Sequence, residues 1–321
     1  MKPIIHSIAK PVRVGLPLVL AVGILWWMYR GISWEELADA LSHRMSWTWM
    51  LLSMPFGILA QVLRAMRWRQ VLAPAGERPR LSTCTHAVFL SYASSLVVPR
   101  VGEVLRCGVL KRYEGTNFST GLGTVVTERI IDTVLILVLS LLTFLTQIPV
   151  FLTFFRQTGM SLSSLVERFS LTGWVVTLLC GVLAMFAIVF LAQRFLRGSG
   201  LLRGLLSVLK LEQPLLFVAY SVGIWVSYYL HFYLTFFCFD FTAALGPAAA
   251  LVAFVVGTYA VLVPTPNGAG SWHFAVKTVL VLYGVGQTEA AVFVLIVHTL
   301  QTLLVAVLGL WSMMALSLRR K

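Results

Sequence analysis

Arg100, Glu103 and Arg106 fall three residues apart in the stretch LVVPRVGEVLR, residues 96–106. On a helix restarting after Pro99, that spacing sets two guanidinium forks and one carboxylate along a single face. A planar guanidinium bonds two phosphate oxygens at once, so the set suits a phosphate or zwitterionic head group. Glu103 can hold an arginine in place or pair with an amine; a purely structural ion cluster is the plainer alternative. A second group, Glu128, Arg129 and Asp132, puts Glu128 and Asp132 four apart on one helix face. Its members suit pairing with Arg100 or Arg106, or proton carriage. A third candidate is the turn Pro264 to Gly270, reading PTPNGAG. Here Asn267, Gly268 and Gly270 can bring backbone amides up to an anion, and a helix restarting at Ser271 or Trp272 would aim its N-terminus the same way. His273, in the first turn of that helix, is the fourth candidate; an ordinary imidazole titrates near neutral pH. Arg64, Arg67 and Arg69 end an apolar run. A cytoplasmic excess of basic residues explains them, and attraction of anionic lipid head groups by Arg64 and Arg67 is the sharper alternative.

The elements that must position these groups are apolar. The chain of 321 residues is 59% hydrophobic and 12% charged, with mean hydropathy +0.88, more apolar sequence than a soluble core needs. Its formal charge of +13 sits in short clusters between apolar runs, the pattern of cytoplasmic loops and not of a nucleic-acid interface. Pro99 lacks an amide hydrogen and Gly102 weakens a helix, so no unbroken helix crosses Leu96 to Arg106. Ions beside a broken helix in hydrocarbon need protein or water around them, and that marks a site.

Spans of about 20 apolar residues are expected at Val14–Tyr29, Trp47–Leu63, Thr120–Thr146, Thr172–Ala192, Pro214–Phe237 and Ala290–Leu316. An interfacial helix is expected over Leu152–Leu165. Trp26, Trp27, Tyr29 and Arg30 suggest an interfacial belt, so the first run reads as an uncleaved span. Basic residues at Lys2, Lys10 and Arg13, and at Arg319 to Lys321, place both termini in the cytoplasm. Residues 81–110, basic at both flanks, are expected to dip into the membrane and return. Residues 243–283 must do the same from the opposite face if the last span is to finish inside. The fold expected is therefore all-α and polytopic, one transmembrane domain over residues 1–321. It has about six full spans and two broken re-entrant hairpins, in an inverted repeat of halves near 47–146 and 214–316. Pro/Gly-interrupted segments at matching positions of two halves point to a transporter's midplane site.

No catalytic grouping emerges: there is no G-x-S-x-G, H-E-x-x-H or Walker loop, and the four cysteines are scattered with no C-x-x-C. No metal, no cofactor and no enzymatic activity are expected.

Four motifs, taken in order, resemble the lysylphosphatidylglycerol synthase transmembrane-region family of flippase-like integral membrane proteins. They are Arg64-x-x-Arg67-Trp68, Pro99-Arg100-x-Gly102-Glu103-x-x-Arg106, Glu128-Arg129-x-x-Asp132 and Pro264-x-Pro266-x-Gly268-x-Gly270. The resemblance implies a lipid translocator; bifunctional relatives make an aminoacylated phospholipid in a soluble C-terminal domain and flip it with the membrane part. Lys321 follows directly on the last span, so that synthase domain and its aminoacyl transfer are not expected here. Asn267 stands where the family usually has glycine, and His273 where glutamate is common.

The function expected is transport of an anionic or zwitterionic lipid between leaflets of the inner (cell) membrane. Membrane lipids are the partners; no nucleic acid is expected and a homo-oligomer is left open. Two other readings stay open on the sequence: a membrane-embedded lipid-phosphate transferase or hydrolase with Glu103 or His273 as base, and a lipid-binding scaffold that transports nothing.

Overall fold

A computed structural model describes residues 22–31, 33–150 and 198–319, with isolated positions between 152 and 183. Among them the secondary structure is helical throughout. The principal helices are α1 (Trp47–Leu72), α2 (Leu81–Ser95), α3 (Val101–Glu114), α4 (Phe118–Thr146), α5 (Gly200–Leu206), α6 (Pro214–Tyr233), α7 (Gly246–Ala260), α8 (Ser271–Leu282) and α9 (Gln287–Leu318). Four helical stretches among the described residues are long and apolar enough to cross a membrane: Trp47–Ala75, Phe118–Thr146, Pro214–Cys238 and Gln287–Leu318. Of the expected first span, residues 22–29 are described and helical. The rest of it, most of the expected interfacial helix and most of the Thr172–Ala192 span lie outside the described residues.

The long helices turn apolar side chains outward. On α4, Leu137, Val138, Leu141, Leu142 and Leu145 are all more than half exposed. An apolar stripe of that kind suits hydrocarbon. Inside, two apolar clusters form. One gathers Trp68, Val88, Leu110 and Val125 from α1 to α4. The other gathers Phe232, Phe236, Ala253 and Phe293 around α6, α7 and α9.

α1 is longer than expected. It runs past Leu63 to Leu72, so Arg64 and Arg67 lie within the helix and are 4% and 0% exposed. Arginine is a good helix former, and these two find carboxylates on α4 instead of a water-filled loop.

Both helix breaks fall where proline and glycine placed them. α2 and α3 fold back on each other around residues 96–100. A side chain at Gly102 would overlap the Ser91 carbonyl oxygen, so glycine is what lets the limbs close. The open end is held by Glu114, which accepts from Arg80 Nε at 2.9 Å and from the Thr83 hydroxyl. α7 and α8 fold back around residues 261–270, where Gly268 and Gly270 take φ of 71° and 84°.

The helices pair in a matched way. α1 packs on α6. α9 packs on α2, with Gly309 against Ala93, and α4 packs on α7, with Ser140 and Tyr259 hydroxyls 2.9 Å apart. The long helix α9 thus lies along α2, and the long helix α4 along α7. The short helix α5 seats on the start of α4, Gly204 against the Thr120 carbonyl and Gly123 against the Leu201 carbonyl.

Candidate functional site: a cavity between the two helix breaks

A cavity of about 450 Å³ lies where the two breaks meet. Ser91, Tyr92 and Ser95 of α2, Pro99, Arg100, Glu103 of α3 and Arg129 of α4 line one side; Val261 to Thr265, Asn267 and Gly268 line the other. Its size falls in the range of small-molecule sites, about 300–1,000 Å³.

Arg100 spans it. The side chain is exposed, and Nη2 donates to the Leu262 carbonyl oxygen at 3.2 Å, joining the first break to the second. Its backbone is left-handed, φ 64°. Among the described residues two non-glycine positions have positive φ, Arg100 and Asn267, one at each break. Residues held in such conformations cluster at binding and switch sites. Asparagine tolerates this region; arginine is held there by its surroundings.

Arg100 caps α3 instead of continuing its spiral, so the single face expected for Arg100, Glu103 and Arg106 does not form. Arg100 and Glu103 border the cavity. Arg106 turns into the protein, 2% exposed, its guanidinium carbon 4.6 Å from the centre of the Trp68 ring. Glu103 is engaged: its Oε1 lies 2.7 Å from Arg129 Nε, with both side chains partly exposed.

Behind that pair is a buried ion network joining α1, α3 and α4. Arg106 lies 2.6 Å from Glu128; Arg67 lies 3.5 Å from Glu128 and 2.8 Å from Asp132; Arg64 lies 2.7 Å from Asp132. The Arg67 guanidinium also donates to Ser221 Oγ of α6 at 3.3 Å. The Trp68 indole N–H donates to Thr124 at 2.9 Å. Glu128 and Asp132 share a face of α4, as their spacing implied, and that face meets Arg64 and Arg67. These two arginines point into the protein and pair with carboxylates there.

The second break differs from the anion cradle expected of it. The amides of Gly268, Ala269 and Gly270 already donate, to Thr265 O, Pro266 O and His273 Nδ1 at 3.2, 2.8 and 3.3 Å. Its turn closes on itself, so glycine here serves geometry. Asn267 donates from Nδ2 to Thr302 at 2.7 Å, and its carbonyl accepts from His298 Nε2 at 3.1 Å. His273 does not line the cavity. It is 3% exposed, with its ring centre 4.4 Å from that of His298. No group of three or more metal-binding side chains occurs among the described residues.

Tyr92, Ser91, Ser95 and Thr265 were not among the residues singled out from sequence. Ser91, Tyr92 and Ser95 did carry a signal: polar groups at helical spacing in an apolar run just before Pro99. Tyr228 carried none. It sits among aromatic residues of α6 and donates to the Tyr92 hydroxyl at 2.7 Å.

A stretch of 76 residues is 30% identical to a protein named Glycosyltransferase AglD from Haloferax volcanii. The match covers 23% of this chain and 12% of that relative. The family model described as the lysylphosphatidylglycerol synthase TM region matches residues 14–309. With that match over nearly all of its length, and with its long apolar helices, the chain is a multi-pass membrane protein and belongs to the lysylphosphatidylglycerol synthase TM region family.

Proposed function

We propose that the protein moves a phospholipid between the two leaflets of a cell membrane, its head group passing through the cavity while the tails stay in lipid. One observation carries this reading: two helix breaks far apart in sequence line a single cavity that holds Arg100, Glu103 and Arg129 among otherwise apolar helices. The matched pairing of α1 with α6, α9 with α2 and α4 with α7 supports an inverted repeat. On that reading α2–α3 and α7–α8 are hairpins that enter from opposite faces, with both chain ends in the cytoplasm and six full spans. Arg100 and Arg129 would meet the phosphate, and Glu103 would hold Arg129 toward it.

The reading is of a transporter, not an enzyme, with no cofactor. Glu103 faces the cavity but is already paired with Arg129, and His273 is buried against His298 away from the cavity, so neither candidate base stands there unpaired. The relative's name, Glycosyltransferase AglD, attaches to a protein of which 12% is matched, and its named activity is not carried over.

The test is a proteoliposome assay with a fluorescent phospholipid and an impermeant quencher. The wild type should expose inner-leaflet lipid, and Arg100→Ala and Glu103→Ala should abolish that without unfolding the protein. Normal flipping by both variants would discard the site; chemically altered lipid after incubation would favour an enzyme.

A further inference from the structure

The buried ion network does not balance. Arg64, Arg67 and Arg106 stand against Glu128 and Asp132, which leaves one positive charge in excess. The Nε atom of each of these arginines is buried with no hydrogen-bond acceptor among the described residues. Uncompensated charge in a low-dielectric interior is costly, and its field is felt over longer distances than in water.

That excess has a route to the cavity. The Arg64 guanidinium carbon lies 5.9 Å from the centre of the Tyr228 ring. The Tyr228 hydroxyl donates to the Tyr92 oxygen at 2.7 Å, and Tyr92 lines the cavity. Because Tyr92 accepts in that bond, its own O–H remains a donor for a ligand in the cavity it lines. Hydrogen bonds in series polarise one another, so the bond to such a ligand is strengthened. The cavity wall has the same bias. Arg100 and Arg129 stand against Glu103 alone, and Glu103 is already paired with Arg129.

We infer that the cavity selects a head group of net negative charge, a phosphodiester without an ammonium group, and that Tyr92 and Tyr228 relay the buried positive charge to it. An aminoacylated head group would bring its ammonium into a wall that already holds surplus positive charge. The inference deepens the translocation reading, since it takes the same cavity as the lipid site. Tyr92 would touch the phosphate; Tyr228 and Arg64 act through it.

The experiment is equilibrium lipid binding to the purified full-length protein in detergent. Phosphatidylglycerol, phosphatidylcholine and lysyl-phosphatidylglycerol are the probes, and bound lipid is read by native mass spectrometry. The wild type should hold phosphatidylglycerol about tenfold more tightly than the lysyl form, the scale of one hydrogen bond to a charged group. Tyr92→Phe and Tyr228→Phe keep the rings and remove the hydroxyls. Each should lower phosphatidylglycerol affinity about threefold to tenfold and narrow its advantage over the two ammonium-bearing lipids, whereas a merely structural role would weaken all three lipids alike. Equal binding of the three lipids by the wild type, or preference for the lysyl form, overturns the charge selection even if the variants do not fold. Folded variants with the wild-type ratio overturn the relay. Anion-selective binding without flipping would keep this inference and sink the translocator; flipping without charge preference would do the reverse.

Discussion

Arg100 couples an unfavourable backbone to a side chain that crosses the cavity, and substitution can separate the two. A left-handed conformation costs an L-residue about 1–2 kcal/mol. Glycine escapes that cost but has more freedom to lose on folding, about 0.5–1 kcal/mol. Arg100→Ala and Arg100→Gly both delete the bond to the Leu262 carbonyl, so their difference isolates the backbone at φ 64°. Arg100→Gly should be the more stable of the two by about 0.5–1 kcal/mol, or about 1–3 °C in unfolding midpoint. Both should lose lipid flipping to the same extent, because both lack the guanidinium. The assay pairs a thermal unfolding scan in detergent with flipping in proteoliposomes. If the alanine variant matched or exceeded the glycine variant in stability, the strain at this break would not exist as described. If the glycine variant flipped lipid normally, the charge would be irrelevant and the turn alone would matter.

Two further outcomes follow from the packing. Asp132→Asn leaves Arg64 and Arg67 facing a neutral amide at 2.7 and 2.8 Å, and should destabilise by about 3–5 kcal/mol; adding Arg64→Gln should restore part of that loss in a denaturant titration, and strict additivity would refute the pairing. Gly102→Ala pushes a methyl group into the Ser91 carbonyl and should cost about 1–3 kcal/mol, with faster proteolysis between α2 and α3; an unchanged unfolding midpoint would mean the two limbs are not in contact there.

The helix breaks were legible in sequence because proline and glycine leave few backbone choices, and α2, α3, α7 and α8 end close to where those residues put them. The arginines were harder. A basic cluster after an apolar run has the same sequence signature whether it faces cytoplasmic water or buried carboxylates, and Arg64 and Arg67 proved to be of the second kind. Only the packing of α1 on α4, more than sixty residues apart in sequence, decides between them. The i, i+4 spacing of Glu128 and Asp132 gave their shared face but not their partners. The glycines of the second break promised free amides; the turn takes up those amides itself. Tyr228 could not be found by periodicity, since an aromatic residue in an apolar helix looks like core until its hydroxyl is seen to have a partner.

The glycine seat of α5 on α4 has a mechanical consequence. Residues 200–206 are clasped to the helix that starts at Phe118, although they follow it by more than fifty positions and precede α6 by only seven residues. The covalent tether between the clasped piece and α6 is therefore residues 207–213, of which Ser207–Lys210 form a short 3-10 helix. With its 3-10 turn intact, at about 2 Å per residue, and its last three residues fully stretched, that tether reaches about 18 Å. Any swing of α6 away from α4 at this end is limited by the reach of that tether, which ties the start of α6 to the helix it does not follow in sequence.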